Sequence, residues 1–522
     1  MAHSPLMQKL LSLTKLAHHS KKKNISATEL SEEHLYNRRQ FLQTSGMAAA
    51  AATVFASCTK MVRSSGNTNE NNQPRIAIVG AGIAGLNAAY TLKKQGFSST
   101  LYEASVRAGG RIFTAQNILN PDLSTELGGE FIDSNHTDMR NLAAEFGFPL
   151  SNLYAHSELK LQQNLYYFNG VSYSDDDFIN GIAAYMPKIN NAYDKLSDII
   201  KYNSYSAVDK KFDNMNLEEY FDSIGLHGWL RELLLVAYLG EYGLNTWECN
   251  AINFLFLFGV SPEGDVALYG GSDERFKISG GNQKIVDALA NELKDTIRTE
   301  HKLVSLQNSG TGYELFFENI SDSVKAEIVL LTLPFKILRN VELKVALPHI
   351  KRYAINNLGY GHNSKLFLGF NGRPWRTKFN CVGMSYSDNG SQNTWDNSQL
   401  QKGADGGLTV YLGGDDAVAL ENGSVKSQAE KYLNMLNQFY PGIKNAYNNK
   451  AYRMNWNSYP FAKCGYSAWK VGQYTTIAGS EIETVGNLYF AGEHTSYNFQ
   501  GYMNGGAATG RRAAENILKK ID

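Results

Sequence analysis

Arg75-Ile76-Ala77-Ile78-Val79-Gly80-Ala81-Gly82-Ile83-Ala84-Gly85 decides the fold of this chain. A short apolar run that ends at once in glycine reads as a strand buried on both faces. The glycines fall in the order Gly-x-Gly-x-x-Gly, and Leu86 to Gln95 continues as a helix. Gly80 permits the tight turn, Gly82 lets the backbone approach a pyrophosphate, and Gly85 lets helix and strand pack closely. The N-terminus of that helix, with its free N–H groups and dipole, favours an anion, and Ile83 and Ala84 lie in the turn beside it. A second strand, Thr100-Leu101-Tyr102-Glu103, ends in an acid placed to accept hydrogen bonds from the adenosine ribose, with Ala104 beside it. The negative charge of Glu103 disfavours a 2′-phosphate. Strand, glycines, helix and acid in this order predict a dinucleotide-binding α/β unit.

The remaining chain is long for one unit. At 522 residues it exceeds what one hydrophobic core supports, so two domains are expected. A hydrophobic fraction of 43 %, with 25 Phe and 30 Tyr, suits a large globular core. Formal net charge is zero, which gives no argument for nucleic acid or an anionic membrane surface. No stretch approaches the roughly 18 apolar residues of a membrane span. Cys58, Cys249, Cys381 and Cys464 are too scattered for a disulfide framework or a zinc site, and no metal is expected.

Residues 1–73 read as a leader and tether. Asn37-Arg38-Arg39-Gln40-Phe41-Leu42, followed by the weakly apolar run Gly46 to Ala56, resembles a twin-arginine export signal. That route carries folded proteins, which suits an enzyme that acquires its cofactor in the cytoplasm. Phe55-Ala56-Ser57-Cys58 resembles a lipobox, with Phe55 in place of the usual Leu. Cys58 would then carry a lipid anchor on the outer side of the cytoplasmic membrane or beyond; without it the mature protein would be periplasmic. Thr59 to Gln73 is a Ser/Asn-rich tether.

Past the first glycines, Arg107-Ala108-Gly109-Gly110-Arg111 and Glu126-Leu127-Gly128-Gly129-Glu130-Phe131 form two further glycine motifs. The double glycine at Gly128-Gly129 suggests close backbone approach to a cofactor. His136 to about Asn250 reads as mostly helical, with helices over Met139 to Phe146, Phe178 to Tyr202 and Leu217 to Leu239, an inserted lid. Ser279-Gly280-Gly281-Asn282 is expected to cap a helix through Leu293. Strands are expected at Lys302 to Leu306, Tyr313 to Phe317 and Lys325 to Leu331, then at Lys365 to Phe370, Val382 to Tyr386 and Leu408 to Gly413. A helix over Val425 to Phe439, the return through Asn487 to Glu493 and a last helix from about Gly505 to Lys519 complete the order. The expected division is a nucleotide domain of 74–135, 270–335 and 480–522, and a substrate domain of 136–269 and 336–479.

These landmarks, with Leu331-Thr332-Leu333-Pro334, Trp375, Gly465-Tyr466-Ser467, Gly492-Glu493-His494-Thr495 and Gly501-Tyr502-Met503, resemble the flavin-containing amine oxidase family over about Arg75 to Leu518. The resemblance implies a two-domain α/β fold: a Rossmann-like FAD-binding domain plus a substrate domain of mixed sheet and helices. It implies FAD as cofactor, contacted by Gly80 to Gly85, Glu103, Ala104, Arg107, Gly110, Arg111 and Gly128 to Phe131. Val304 would meet adenine, Gly492 and Glu493 the ribityl phosphate, and Gly501, Tyr502 and Met503 the isoalloxazine edge. A reduced flavin is negative near that edge, and a helix N-terminus there stabilises it.

Three residues are implied in catalysis. Lys365 would reach flavin N5 through a water and support the reaction with oxygen. Tyr466 and Tyr502 would flank the amine, with Trp469 as a substitute for one of them. Members that bind FAD covalently carry Cys where this chain has Gly465, so noncovalent FAD is expected, though Cys464 lies one residue away. The implied reaction is oxidative deamination of a small-molecule amine with O2. An L-amino-acid oxidase, a dehydrogenase passing electrons to a periplasmic cytochrome and a non-catalytic flavoprotein stay open. The Glu126-to-Phe131 motif lacks the Arg that binds substrate carboxylate in amino-acid oxidases, unless Arg231 or Arg275 replaces it.

Overall fold

Ile76–Val79 is the middle strand of a five-stranded parallel sheet, in the order Ile297–Arg298, Thr100–Tyr102, Ile76–Val79, Ile328–Leu331, Leu488–Phe490. Side chains alternate along a strand, and both faces of this one are covered. Ile76 and Ile78 pack with Leu86 and Leu92 of the Ile83–Lys94 helix, and with Leu289 and Ile517. Ala77 and Val79 pack on the other face with Val329, Leu306 and Leu338. The computed structural model describes residues 73–260 and 266–521. The export signal, Cys58 and all of the tether but Gln73 lie outside them.

A second sheet has seven strands, ordered Tyr447–Asn455, Asn363–Phe370, Gly406–Gly413, Gln392–Asp396, Ser385–Ser387, Leu165–Phe168 and Val171–Tyr173. It is antiparallel except where Ser385–Ser387 meets Leu165–Phe168. Leu366, Leu368, Val410 and Leu412 pack one face against Leu433 and Leu436 of the Val425–Phe439 helix. The alternate residues Lys365, Tyr411, Asn393 and Trp395 share the opposite face, with Tyr411 paired to both Lys365 and Asn393.

The His136-to-Asn250 block is less helical than its sequence suggests. Leu150–Asn152 pairs with Phe276–Ile278, and Leu165–Phe168 and Val171–Tyr173 supply the edge of the large sheet. The single helix expected over Phe178 to Tyr202 is two short ones, Asp175–Ile182 and Met186–Tyr193. Leu217 to Leu239 is likewise split: Gly225, at φ +71°, ends Leu217–Ile224 before Gly228–Tyr242 begins. Lys325 to Leu331 divides between two sheets, and Val382 to Tyr386 shortens to Ser385–Ser387.

The last helix, Met503–Ile521, lies directly on the first. A methyl on Gly510 would sit 2.1 Å from the Ala84 carbonyl oxygen, and one on Gly506 would sit 2.7 Å from Ile83 Cγ2. No larger residue fits at Gly510 without separating the two helices. This contact brings two helix N-termini, at Gly82–Ile83 and at Met503, to one cavity.

Candidate active site

That cavity runs from Gly82 and Glu103 past Lys365 and Met503 to Tyr269 and Tyr386. At its first end the backbone does the work. Gly80 (φ +104°) turns the chain, and its N–H donates to the Tyr102 carbonyl at 2.8 Å. A methyl on Gly80 would meet Thr332 Oγ1 at 2.5 Å, and one on Gly85 the Gly80 oxygen at 2.0 Å. Gly82 differs: a methyl there would find only Gly110 Cα, at 4.0 Å. No protein atom requires glycine at Gly82, so the space it keeps belongs to the cavity. A pyrophosphate fits that space, against the N-terminus opened by Ile83 and Ala84.

Glu103 lines the cavity beside Ala104 and is held in place by two backbone donors, Ala81 N–H at 2.8 Å and Ser105 N–H at 2.9 Å. Gly110 and Arg111 line it too. Arg107 does not. Its guanidinium donates to the carbonyls of Ala108 (3.1 Å) and Gly110 (2.5 Å) and lies over Phe113, bracing its own loop. Gly85 serves packing alone, and Val304 is also absent from the wall, where Lys302 stands instead.

Gly128, Gly129, Glu130 and Phe131 all line the cavity, but the double glycine answers to protein neighbours. A methyl on Gly128 would lie 1.9 Å from the Arg111 oxygen, and one on Gly129 2.6 Å from Met503 Cγ. Asn282 does not cap its helix with its side chain. It donates instead to the carbonyls of Gly129 (3.1 Å) and Glu130 (2.8 Å), fixing this loop.

Lys365 is buried and all three of its N–H donors have acceptors: Glu126 O at 3.1 Å, Gly128 O at 2.9 Å and Glu130 Oε2 at 2.9 Å. A water bridge from Lys365 to flavin N5 therefore requires one of these bonds to be given up. Glu130 also accepts from Lys277 at 2.6 Å and Trp395 Nε1 at 2.9 Å. Burial alone would raise its pKa, but the two ammonium groups outweigh burial and hold Glu130 below the usual carboxylate range.

Glu493 is a second buried anion that stays charged. Burial opposes its charge, and Arg111 at 3.0 Å, Ser467 Oγ at 2.7 Å and Gly501 N–H at 2.9 Å overcome that, leaving its pKa lowered. Gly492, Gly501, Tyr502 and Met503 complete this wall. Cys464 packs away from it, fully buried, with its thiol on the Ala462 carbonyl at 3.2 Å, while Gly465 faces the cavity.

The far end is built from side chains. The helix Gly228–Tyr242 stops at Gly243 (φ +61°), so its C-terminal residues Gly240, Glu241 and Tyr242 line the cavity. The Tyr466 hydroxyl donates to the Glu241 carbonyl and lies 3.1 Å from the Tyr411 hydroxyl. The Tyr502 hydroxyl donates to Glu241 Oε1 at 3.2 Å. Glu241 thus ties both tyrosines through two of its own groups. Burial, opposed by the Tyr502 bond and aided by Asp133, pushes its pKa up to about 7, and the negative helix end acts in the same direction. Glu274 faces the same space. Trp469 packs in the core with Tyr474, so it does not stand in for either tyrosine.

A glycine-lined cleft, two helix N-termini and a continuous cavity with a pair of tyrosines at its far end agree with one family. The chain matches the flavin containing amine oxidoreductase family over residues 83–518. It belongs to that family. Residues 36–55 match the twin-arginine translocation signal, which directs export across the cytoplasmic membrane. A flavin-containing amine oxidase of Oncorhynchus mykiss is 25 % identical over 85 % of this chain and 86 % of its own length. A putative L-amino-acid oxidase of Bacillus subtilis is 24 % identical over 88 % and 97 %. The solved cyclohexylamine oxidase of Brevibacterium oxydans shares the fold, with a TM-score of 0.75, 18 % identity and coverage of 86 % and 99 %. This amine oxidoreductase is an enzyme whose cofactor is FAD.

Sequence reasoning missed Glu241, Glu274, Trp395 and Tyr411. Strand alternation around Leu408 to Gly413 carried a signal for Tyr411, since its neighbours Val410 and Leu412 are core. Nothing local marked the two glutamates.

Proposed function

We propose that the enzyme oxidises a small-molecule amine at its α-carbon, yielding an imine that water converts to an aldehyde or ketone and ammonia or a smaller amine, with O2 reduced to H2O2. FAD, when bound, would supply the two-electron chemistry that links the amine's hydride to oxygen. The observation that carries this reading is the charge of the far end. Each Lys or Arg lining the cavity is paired with a carboxylate: Arg111 with Glu493, Lys302 with Glu318, Lys365 with Glu130. Glu241, Glu274 and a helix C-terminus face the same space and favour a cation. A substrate carboxylate would meet repulsion there. Arg231, bonded to Asp222, and Arg275, beside Asn152, do not line the cavity and so cannot serve an amino-acid substrate directly.

In this reading Tyr466 and Tyr502 hold the amine between them, fixed by Glu241, and orientation supplies much of the rate. Lys365 stands near the oxygen-reacting edge, and Glu130 holds it in position. The Gly82–Ala84 N-terminus receives the pyrophosphate, Glu103 the ribose and Met503 N–H the pyrimidine edge. Export followed by acylation of Cys58 would tether the enzyme outside the cytoplasmic membrane.

The test is anaerobic. Protein without its signal is purified with its flavin, and amines or L-amino acids are added without oxygen. Bleaching by amines alone is the expected result. Bleaching by amino acids alone overturns the reading, and admitting air to the bleached enzyme checks oxygen as acceptor.

A further inference from the structure

One amine entering as an ammonium needs one compensating charge, and Glu241 supplies it beside the tyrosines. The cavity holds a second acid. Glu274 sits in a glycine-rich stretch, Gly270-Gly271-Ser272-Asp273, with its own backbone in the left-handed region at φ +45°. A non-glycine residue there is held by its surroundings at some cost, and such residues concentrate at functional sites. The Glu274 N–H donates to Asp133 Oδ1 at 3.0 Å, which fixes the backbone. Glu274 lines the cavity, and the charges that act on its carboxyl after burial are those of other acids, Glu241, Asp133, Glu130 and Asp273. Around it stand Tyr269 and Tyr386, whose hydroxyls are 3.5 Å apart and also line the wall.

An acid in this position is costly to ionise alone. Burial, and then the charges of Glu241, Asp133 and Glu130, push its pKa well above the usual range. A wall that only had to bind an alkyl group would place an apolar residue there. A wall that receives an ammonium gains a charge-assisted hydrogen bond from this same carboxyl.

Taking the amine reaction above as given, we propose that the substrate is a diamine or longer polyamine, with the reacting nitrogen between Tyr466 and Tyr502 and a second ammonium on Glu274. Glu274 is then the specificity residue, and Glu241 belongs to the tyrosine pair. The aromatic wall of Tyr269, Tyr386 and Tyr411 flanks the intervening methylenes and faces the distal cation with ring surfaces.

The experiment compares α,ω-diamines of three to eight carbons with the n-alkylamines of equal length, as reductants of the holoenzyme flavin without oxygen. The wild type is expected to favour the best diamine over its matched alkylamine by about 100-fold in kcat/KM. Glu274→Gln is expected to collapse that ratio to within about threefold. Glu274→Asp, which withdraws the carboxyl by one methylene, is expected to restore a preference and move its optimum to a longer diamine. Equal use of diamine and alkylamine by the wild type overturns the proposal and leaves the amine reading intact. So does a ratio unchanged in Glu274→Gln. Failure of every amine to bleach the flavin overturns both.

Discussion

Where the cavity meets Gly82, Glu103 and Met503, it is lined largely by backbone; where it meets Glu241, Glu274 and Tyr466, it is lined by side chains. The first end depends on what is missing. Gly82 leaves space, Gly85 and Gly510 let backbones touch, and two helix starts offer free N–H groups. The second end depends on what is added. Glu241 comes from a helix end, Glu274 from a loop, Tyr411 and Trp395 from the large sheet, Tyr466 and Tyr502 from the C-terminal region. A site made of absences tolerates little and leaves a spacing in the sequence. A site made of additions draws on distant segments, and of these side chains only Tyr466 and Tyr502, which lie beside motif glycines, left a mark in the sequence.

The sharpest way to break this contrast is Gly82→Val. The Cβ of the new side chain meets only Gly110 Cα, at 4.0 Å, so the apoprotein should fold with little change in Tm while FAD affinity falls by about 100-fold or more. Flavin absorbance after gel filtration measures it. A variant that keeps its flavin would show that the space at Gly82 is not the pyrophosphate site.

Lys365→Met probes the border between the two ends. It removes one of two cations from Glu130 and leaves Lys277 at 2.6 Å to hold the carboxylate. Reoxidation by air, followed by stopped flow on pre-reduced enzyme, should slow by about tenfold to 100-fold. Reoxidation at the wild-type rate would remove the role given to the lysine.

The smallest expected effect concerns Glu241. Its pKa, raised to about 7, makes it neutral below that pH and a carboxylate above it. Cation affinity should therefore rise as pH rises through about 7, by at most about tenfold per pH unit. An alkyltrimethylammonium ion, whose charge does not titrate, isolates this step, and its binding is read from the flavin spectrum. Glu241→Gln should flatten the profile between pH 6 and 8, and a slope that survives would assign the titration to another group.

The same contrast explains what could be read beforehand. The five-stranded sheet was legible because a fully buried parallel strand must be apolar throughout and its turn must be glycine, as Ile76 to Gly80 are. The Val425–Phe439 helix was legible from its period. Phe178 to Tyr202 was misread because aromatic residues at near-helical spacing also suit two short helices joined by a bend. Arg107 lies within the expected motif yet braces its loop, since spacing says where a residue falls and not where its guanidinium turns. Glu274 was invisible, because its meaning depends on Glu241 and Tyr386, which are neighbours only after folding.

The docking of Gly510 against the Ala84 carbonyl sets a timetable for biosynthesis. The first strand and helix leave the ribosome early, but the cavity is not closed until Leu488–Phe490 joins the sheet and Met503–Ile521 lies down beside Ile83–Lys94. The export signal is made before the flavin domain, and the last wall of the flavin cleft long after it. A cleft completed this late favours cofactor loading after synthesis of the chain, which suits a transport route that carries folded cargo.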